Sequence, residues 1–254
     1  MTLSPIPDDF RWTAQAWGPA LRCRPLDAVA PHLFTTRQLA LSSPDDWAHV
    51  ASALDARDVA TLAQVHGRDV VVIRRRDRAA SVRQPTADIL VSDDPDTALA
   101  VRAADCVPLL IADPVTGTVA AVHAGWRGTA AGAAAAAVNA LSREFRARPS
   151  DLIAAIGPAI GPCCYEVGTE LVDAFVAAGH SRSHVARWFT TAATASRPRL
   201  DTWAANRDQL EQAGVRPGNI HVAGLCTACN LELFPSFRRE KERAGRMAGV
   251  IRAR

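Results

Sequence analysis

The chain of 254 residues is short of lysine: among 29 basic residues, Lys241 is the only one that is not arginine. A bias that complete reflects genome composition. The clusters Arg74-Arg75-Arg76 with Arg78, and the arginines from Arg238 onward, therefore carry less meaning than basic runs usually do. Excess charge is also small, at +3. That is too little to argue for a polyanion, and no nucleic-acid partner is expected. No stretch reaches the ~18 apolar residues of a membrane span. The opening MTLSPIPDDFRW has neither a basic n-region nor an apolar h-region, so no secretory signal is expected and a cytoplasmic location is. Gly/Ser linkers, Pro-rich spacers and internal repeats are missing too, which points to a single domain over residues 1–254. Neither G-x-G-x-x-G nor G-x-x-x-x-G-K-[ST] occurs, which disfavours a dinucleotide or P-loop enzyme.

What is present is an ordinary globular mixture, 48% hydrophobic and 22% charged, with enough apolar residues for a large core. Residues 1–31 read as a Pro-rich irregular segment pinned by Trp12 and Trp17. A strand is expected over 32–37 and a helix from Ser43-Pro44 through 56, capped by Ser43 or Asp45. Residues 59–65 and 69–74 read as a hairpin turning at His66-Gly67-Arg68. The arginine-rich stretch 75–85 reads as a loop, with strands over 87–91 and 98–103. The alanine-rich 129–145 is the clearest helix, with Thr129 as N-cap. Further expectations are strands at 152–156, 185–190 and 220–223, helices at 166–178 and 201–213, and an irregular tail over 234–251. Strands crowd between 59 and 122 with little helix between them. That favours an α+β fold with mixed or antiparallel sheets over a doubly wound parallel sheet.

One stretch concentrates the chemistry: ADCVPLLIADPVTGTVAAVHAGWRG, residues 104–128. Two apolar runs, 107–112 and 118–122, flank the turn residues Asp113-Pro114 and Gly117. In an antiparallel hairpin the start of one strand lies beside the end of the next. Cys106 and His123 should therefore be neighbours. His66, at the end of its own predicted strand, shares their positional logic. A His-Cys-His set matches the three protein ligands of a catalytic zinc. The same residues also fit a metal-free reading, with Cys106 as nucleophile and His123 or His66 as its base. Asp105 could orient a histidine or act as an acid or base. Arg37, Arg127, Arg238 and Arg239 are candidates for gripping an anion, with Ser236 as an added donor.

Six cysteines are present: Cys23, Cys106, Cys163, Cys164, Cys226 and Cys229. In a cytoplasmic protein they read as thiols, ligands or nucleophiles before disulfides. Cys226-Thr227-Ala228-Cys229 is a C-x-x-C. A structural zinc would want a second spaced pair, which the adjacent Cys163-Cys164 does not supply, so Cys226 and Cys229 read as structural.

Several blocks together resemble a known family: Val65-His66-Gly67, Ala104 to Pro108, Ala121 to Gly128 (AVHAGWRG), Ile156 to Gly161 (IGPAIG), HLFTTR from His32 to Arg37, and FPSFRREKERAGRM from Phe234 to Met247. The chain resembles the multicopper-polyphenol-oxidase or laccase-domain family, understood as zinc-dependent purine nucleoside phosphorylases and including the peptidoglycan editing factor. The likeness runs from about residue 32 to 251. It implies a single α+β domain with sheets sandwiched between helices. It further implies zinc on His66, Cys106 and His123, with copper as the other candidate. The implied activity is phosphorolysis of adenosine, inosine, guanosine and methylthioadenosine, plus adenosine deamination. Purine nucleoside and phosphate are the implied small-molecule partners, and a monomer or weak homodimer is expected. Arg37, Ser236 and Arg238 are the expected phosphate grip, with Arg127 beside them. Two other activities are compatible with the family names: hydrolysis of a cell-wall precursor amide, and copper-dependent oxidation of phenols. One departure stands out. Where relatives carry Ser-Leu-Asn-Leu-Gly after T-T-R, this chain has Gln38 to Pro44 (QLALSSP), without Asn or Gly. A more open pocket or shifted specificity follows if that segment meets substrate.

Overall fold

The computed structural model describes residues 4–77, 84–191 and 197–254. In chain order these form β1 (Phe10–Gln15), β2 (Gly18–Cys23), α1 (Arg24–Asp27), β3 (His32–Phe34), α2 (Pro44–Ala53), β4 (Asp58–Ala60), β5 (Val70–Ile73), β6 (Ile89–Ser92) and β7 (Thr97–Ala103). The central hairpin is β8 (Val107–Ala112) and β9 (Val119–Ala124), followed by α3 (Trp126–Ala131) and α4 (Ala133–Phe145). Then come β10 (Ile153–Ile156), α5 (Thr169–Ala177), α6 (Arg182–Trp188), β11 (Phe189–Thr190), β12 (Arg199–Leu200), α7 (Thr202–Gln212), β13 (Ile220–Val222), α8 (Phe237–Glu240) and β14 (Met247–Arg252).

Two six-stranded sheets carry the fold, in the orders β1-β2-β3-β14-β7-β4 and β13-β10-β8-β9-β6-β5. Both are mixed: β4–β7, β5–β6 and β10–β13 are parallel pairs, the rest antiparallel. Successive side chains on a strand face opposite ways, and that alternation builds the layers. Leu110 and Ala112 of β8 join Phe34, Leu99, Val101, Met247 and Ile251 in a core between the sheets. Leu109 and Ile111 of the same strand pack outward on Ala134, Ala137, Val138 and Leu141 of α4 and Leu210 of α7. The other sheet turns Leu33, Ala98, Ala100 and Val250 outward onto Val50 of α2 and Leu54 at its end. The result is the expected sandwich of sheets between helices.

Several local expectations are corrected. Residues 10–27 are not irregular: β1 and β2 pair from Phe10↔Cys23 to Gln15↔Gly18. Gly18 takes the turn at φ +128°, and Pro19 lies at a strand start, where a missing N–H is tolerated. Residues 69–74 do not fold back on 59–65. His66 adopts φ +64°, the chain leaves the first sheet, and β5 pairs with β6 in the second. The helix expected over 129–145 starts earlier, at Trp126 behind the N-cap Gly125, and breaks at Gly132 (φ +83°). Residues 182–188 are helical because Ser181 caps His184 N–H, and Val185 and Trp188 share one buried face. The tail is not irregular either. β14 sits between β3 and β7, in the middle of a sheet. Of the 75–85 loop, Arg75–Asp77 is a turn of 3-10 helix, and 78–83 lie outside the described residues. The caps at Ser43 and Asp201 form as read.

Candidate functional site

The hairpin register places Val107 opposite Ala124 and Pro108 opposite His123. Cys106 and His123 thus meet at one end of the hairpin. His66 arrives from the crossover between sheets, its ring 4.9 Å from that of His123, centroid to centroid. The ligand atoms of His66, Cys106 and His123 all lie within 4.8 Å of one another.

Asp88 organises this cluster. One carboxylate oxygen accepts His123 Nδ1–H at 2.8 Å. The backbone N–H groups of Val65, His66 and Gly67 donate to the same carboxylate at 3.2, 2.9 and 2.6 Å. It therefore fixes the His123 ring and pins the turn that carries His66. A carboxylate behind a ligating imidazole is the usual support of a metal-bound histidine, leaving Nε2 for the ion. Gln64 adds a second clamp, exchanging two 2.8 Å hydrogen bonds with the backbone of Arg102.

The donor chemistry fits a metal. Burial opposes charge on Cys106, but hydrogen bonds and charge from His123 and His66 outweigh it and hold the thiol down at about 6. Burial likewise opposes protonation of His123, yet Asp88 and Cys106 raise it to about 9. Without an ion the two form a thiolate–imidazolium pair. A cation at the same point would take the place of the proton. A Cβ on Gly125 would stand 2.9 Å from both Cys106 Sγ and His66 Cδ2. The glycine keeps that space open. Two imidazoles and a thiolate form a ligand set that both Zn2+ and Cu2+ accept.

The cluster lines a cavity of about 880 Å3. Five cationic side chains line it as well: Arg102, Arg127, Arg238, Lys241 and Arg246. Among the described residues Asp105 is the sole lining carboxylate, and it is already engaged: it accepts Thr227 Oγ1–H and Arg238 N–H, both at 2.6 Å. An anion entering here gains attraction and meets little repulsion. Trp126, Tyr165 and Phe237 supply rings to the same wall. Arg127 stacks on Trp126 at 4.3 Å and Arg238 on Tyr165 at 5.2 Å. Ala40 and Leu41, from the segment after Arg37, also line the cavity.

Not every candidate sits there. Arg37 is not among the lining residues. It donates to Glu240 Oε1 at 2.5 Å and to the Leu231 carbonyl, tying the tail down. Ser236 is fully buried outside the lining set, and its Oγ has no hydrogen-bond partner among the described residues. Arg239 reaches toward Cys164 Sγ at 4.0 Å. Asp88, Arg102 and Tyr165 were not singled out by motif or spacing, and Lys241 and Arg246 entered only as members of the 234–247 block. For Asp88 the signal was available: a lone carboxylate leading the apolar run Ile89-Leu90-Val91.

Comparison with known proteins places the chain in a family. Residues 32–254 match the family described as multi-copper polyphenol oxidoreductase laccase. The chain is 39% identical over 193 residues to purine nucleoside phosphorylase YlmD of Geobacillus stearothermophilus, covering 74% of this chain and 69% of that protein. It is 36% identical over 243 residues to a purine nucleoside phosphorylase of Deinococcus radiodurans, covering 88% and 89%. Among solved structures, YlmD from Geobacillus stearothermophilus superposes with a TM-score of 0.86 at 33% identity, covering 98% of this chain and all of that one. The Bacillus licheniformis protein YfiH gives 0.85 at 31%, covering 97% and 100%. With two thirds or more of each of these proteins covered and the fold shared from end to end, the chain belongs to the multi-copper polyphenol oxidoreductase laccase family, alongside YlmD and YfiH.

Proposed function

We propose that the chain is a metal-dependent purine nucleoside phosphorylase. The observation that carries this is one cavity holding three things at once: a His-Cys-His ligand set, five cations and three aromatic rings. The names of its relatives, purine nucleoside phosphorylases, support the same reading. In the reaction a phosphate oxygen bonds to C1′ of the ribose as the C1′–N9 bond breaks. The bond pair leaves with the purine, which takes up a proton. Positive charge builds on the sugar and negative charge on the base, and fixed groups that match developing charge lower the barrier.

Arg238 and Arg127 line the cavity and are the preferred phosphate grip, with Arg102, Lys241 and Arg246 adding to the field. Trp126, Tyr165 and Phe237 offer flat faces to a purine. Arg37 acts behind the wall, holding Glu240 in the tail that carries Arg238, and Ser236 adds only its backbone N–H to the same carboxylate. His66, Cys106 and His123 would hold the metal, zinc by preference. When bound it would polarise a substrate atom or provide water of lowered pKa. The reading includes a second activity, deamination of adenosine. Ala40 and Leu41 give one part of the cavity wall an apolar surface, and substrate preference is expected to depend on it.

The test is a product assay on protein of known metal content. Adenosine, inosine, guanosine and methylthioadenosine are each incubated with and without phosphate. Free base and the sugar-1-phosphate should form only with phosphate, and inosine from adenosine would add the deaminase. Metal-loaded protein that turns over none of these nucleosides overturns the reading.

A further inference from the structure

Away from the His-Cys-His cluster, the fold assembles a second set of soft ligands. Cys163 and Cys164 lie in a tight turn in which Cys164 and Tyr165 donate their N–H to the Gly161 carbonyl, at 2.9 and 3.0 Å. Cys226 and Cys229 lie in another, closed by Cys229 N–H and Asn230 N–H onto the Cys226 carbonyl. A parallel bridge, Ala159↔Cys226, holds the two turns side by side. The adjacent pair and the C-x-x-C pair, unrelated by spacing, thus converge. All four Sγ atoms lie within 4.8 Å of one another. Cys229 Sγ is 3.6 Å from Cys163 Sγ and 3.4 Å from Cys164 Sγ.

We infer that Cys163, Cys164, Cys226 and Cys229 form a four-thiolate structural zinc site. The sulfur spacing suits that ion: a tetrahedron with Zn–S bonds of about 2.3 Å has edges of about 3.8 Å. All four thiols are free, as ligands must be. The surroundings suit the charge. Four thiolates around a dication leave a net negative cluster, and Gly161 N–H donates to Cys226 Sγ at 3.3 Å while Arg239 lies 4.0 Å from Cys164 Sγ. Binding exchanges thiol protons for the ion and needs no oxidant. In a site of four cysteines no position stays open for substrate, so the role is structural.

That role has a location. Cys164 precedes Tyr165, which lines the cavity, and Thr227 lies within the second turn and holds Asp105. The ion would fasten together two segments that wall the pocket. It is independent of the His-Cys-His cluster, and the two can be read separately.

The experiment is metal analysis of the purified full-length protein beside two variants, His66→Ala/His123→Ala and Cys226→Ser/Cys229→Ser. The wild type should hold about one zinc per chain that survives the histidine substitutions and is lost with the cysteine ones. Should the cysteine variant fail to fold, the wild type and the histidine variant still decide. Zinc in the histidine variant should be released by a mercurial thiol reagent. Cobalt in its place should give the intense charge-transfer and ligand-field bands of a tetrahedral thiolate. A histidine variant free of zinc overturns the proposal. So does a denatured mass short of the hydrogens of one or two disulfides with no second metal.

Discussion

Asp88 grips His123 through a 2.8 Å hydrogen bond to Nδ1 while receiving the backbone N–H of His66 on the same carboxylate oxygen. One side chain therefore aims one ligand and places another. Asp88→Asn keeps the shape but removes the charge, and its amide N–H2 must face a donor. We expect metal affinity at the His-Cys-His cluster to fall about 10- to 100-fold, the range for lost support behind a ligand. Competition against a chromogenic chelator measures this. Unchanged affinity would show that Asp88 only shapes the 65–67 turn.

Gly125 tests the same centre by volume alone. Its φ of −69° and ψ of 174° are open to any residue, so alanine brings no backbone strain. Its Cβ, however, would stand 2.9 Å from Cys106 Sγ and His66 Cδ2. Gly125→Ala should melt within a few degrees of the wild type when both are metal-free, while losing metal binding and turnover together. Retention of metal with full activity would mean that the ligands can shift aside, and that the open space is not needed.

How the hairpin joins Cys106 to His123 was legible in sequence, because an antiparallel register is set by two apolar runs and one turn. The layering was legible too, since Leu109 and Leu110 must face opposite ways. The path of residues 61–74 was not. Whether a chain returns as a hairpin or crosses to another sheet depends here on Asp88 capturing three N–H groups from 21 to 23 positions away, and nothing local announces it. The place of β14 was hidden for a similar reason: Met247–Arg252 pairs with β3 and β7, both remote in sequence. The meeting of the four cysteines was hidden in the same way. Cys163-Cys164 is a poor partner for a C-x-x-C on paper, and only the bridge at Ala159 brings them together.

His32 gives the fold a pH dependence. It is fully buried, with Nε2 accepting Cys23 N–H at 2.9 Å and Nδ1 donating to the Ala30 carbonyl at 3.0 Å. Burial dominates and takes its pKa from 6.5 down to about 4, against the pull of Ala30 and Asp27. The folded state thus holds the ring neutral where the unfolded chain would protonate it. This contribution is fully present above pH 6.5 and is lost as pH falls toward 4. At about 1.4 kcal/mol per pH unit it amounts to about 3 kcal/mol. His32→Gln should be less stable at pH 7.5, yet its stability should fall less between pH 6.5 and 4 than that of the wild type. Urea titrations at each pH supply both numbers, and parallel curves would remove His32 from the account.

Asp105 is the residue whose part is most easily mistaken. It lines the cavity beside Cys106, the position of an acid or base, but its two oxygens are taken by Thr227 Oγ1–H and Arg238 N–H. Its backbone is held at φ +87°, and its carbonyl accepts Ile160 N–H at 2.9 Å. Everything it touches is wall: the segment carrying Arg238, the turn carrying Thr227 and the loop carrying Ile160. Asparagine can still accept from Arg238 N–H and, with the Thr227 hydroxyl turned, donate to it. Asp105→Asn should therefore lower turnover less than about 10-fold, whereas a proton-transfer role loses 10²- to 10⁴-fold. Asp105→Ala removes both anchors and leaves a β-carbon at a positive φ. Hydrogen bonds to a charged group are worth about 1.5–3 kcal/mol each, so it should be the less stable variant by several kcal/mol, with KM for phosphate raised as Arg238 loosens. A pH–rate profile of Asp105→Asn that lost one limb would instead make the carboxylate a proton donor or acceptor in the reaction.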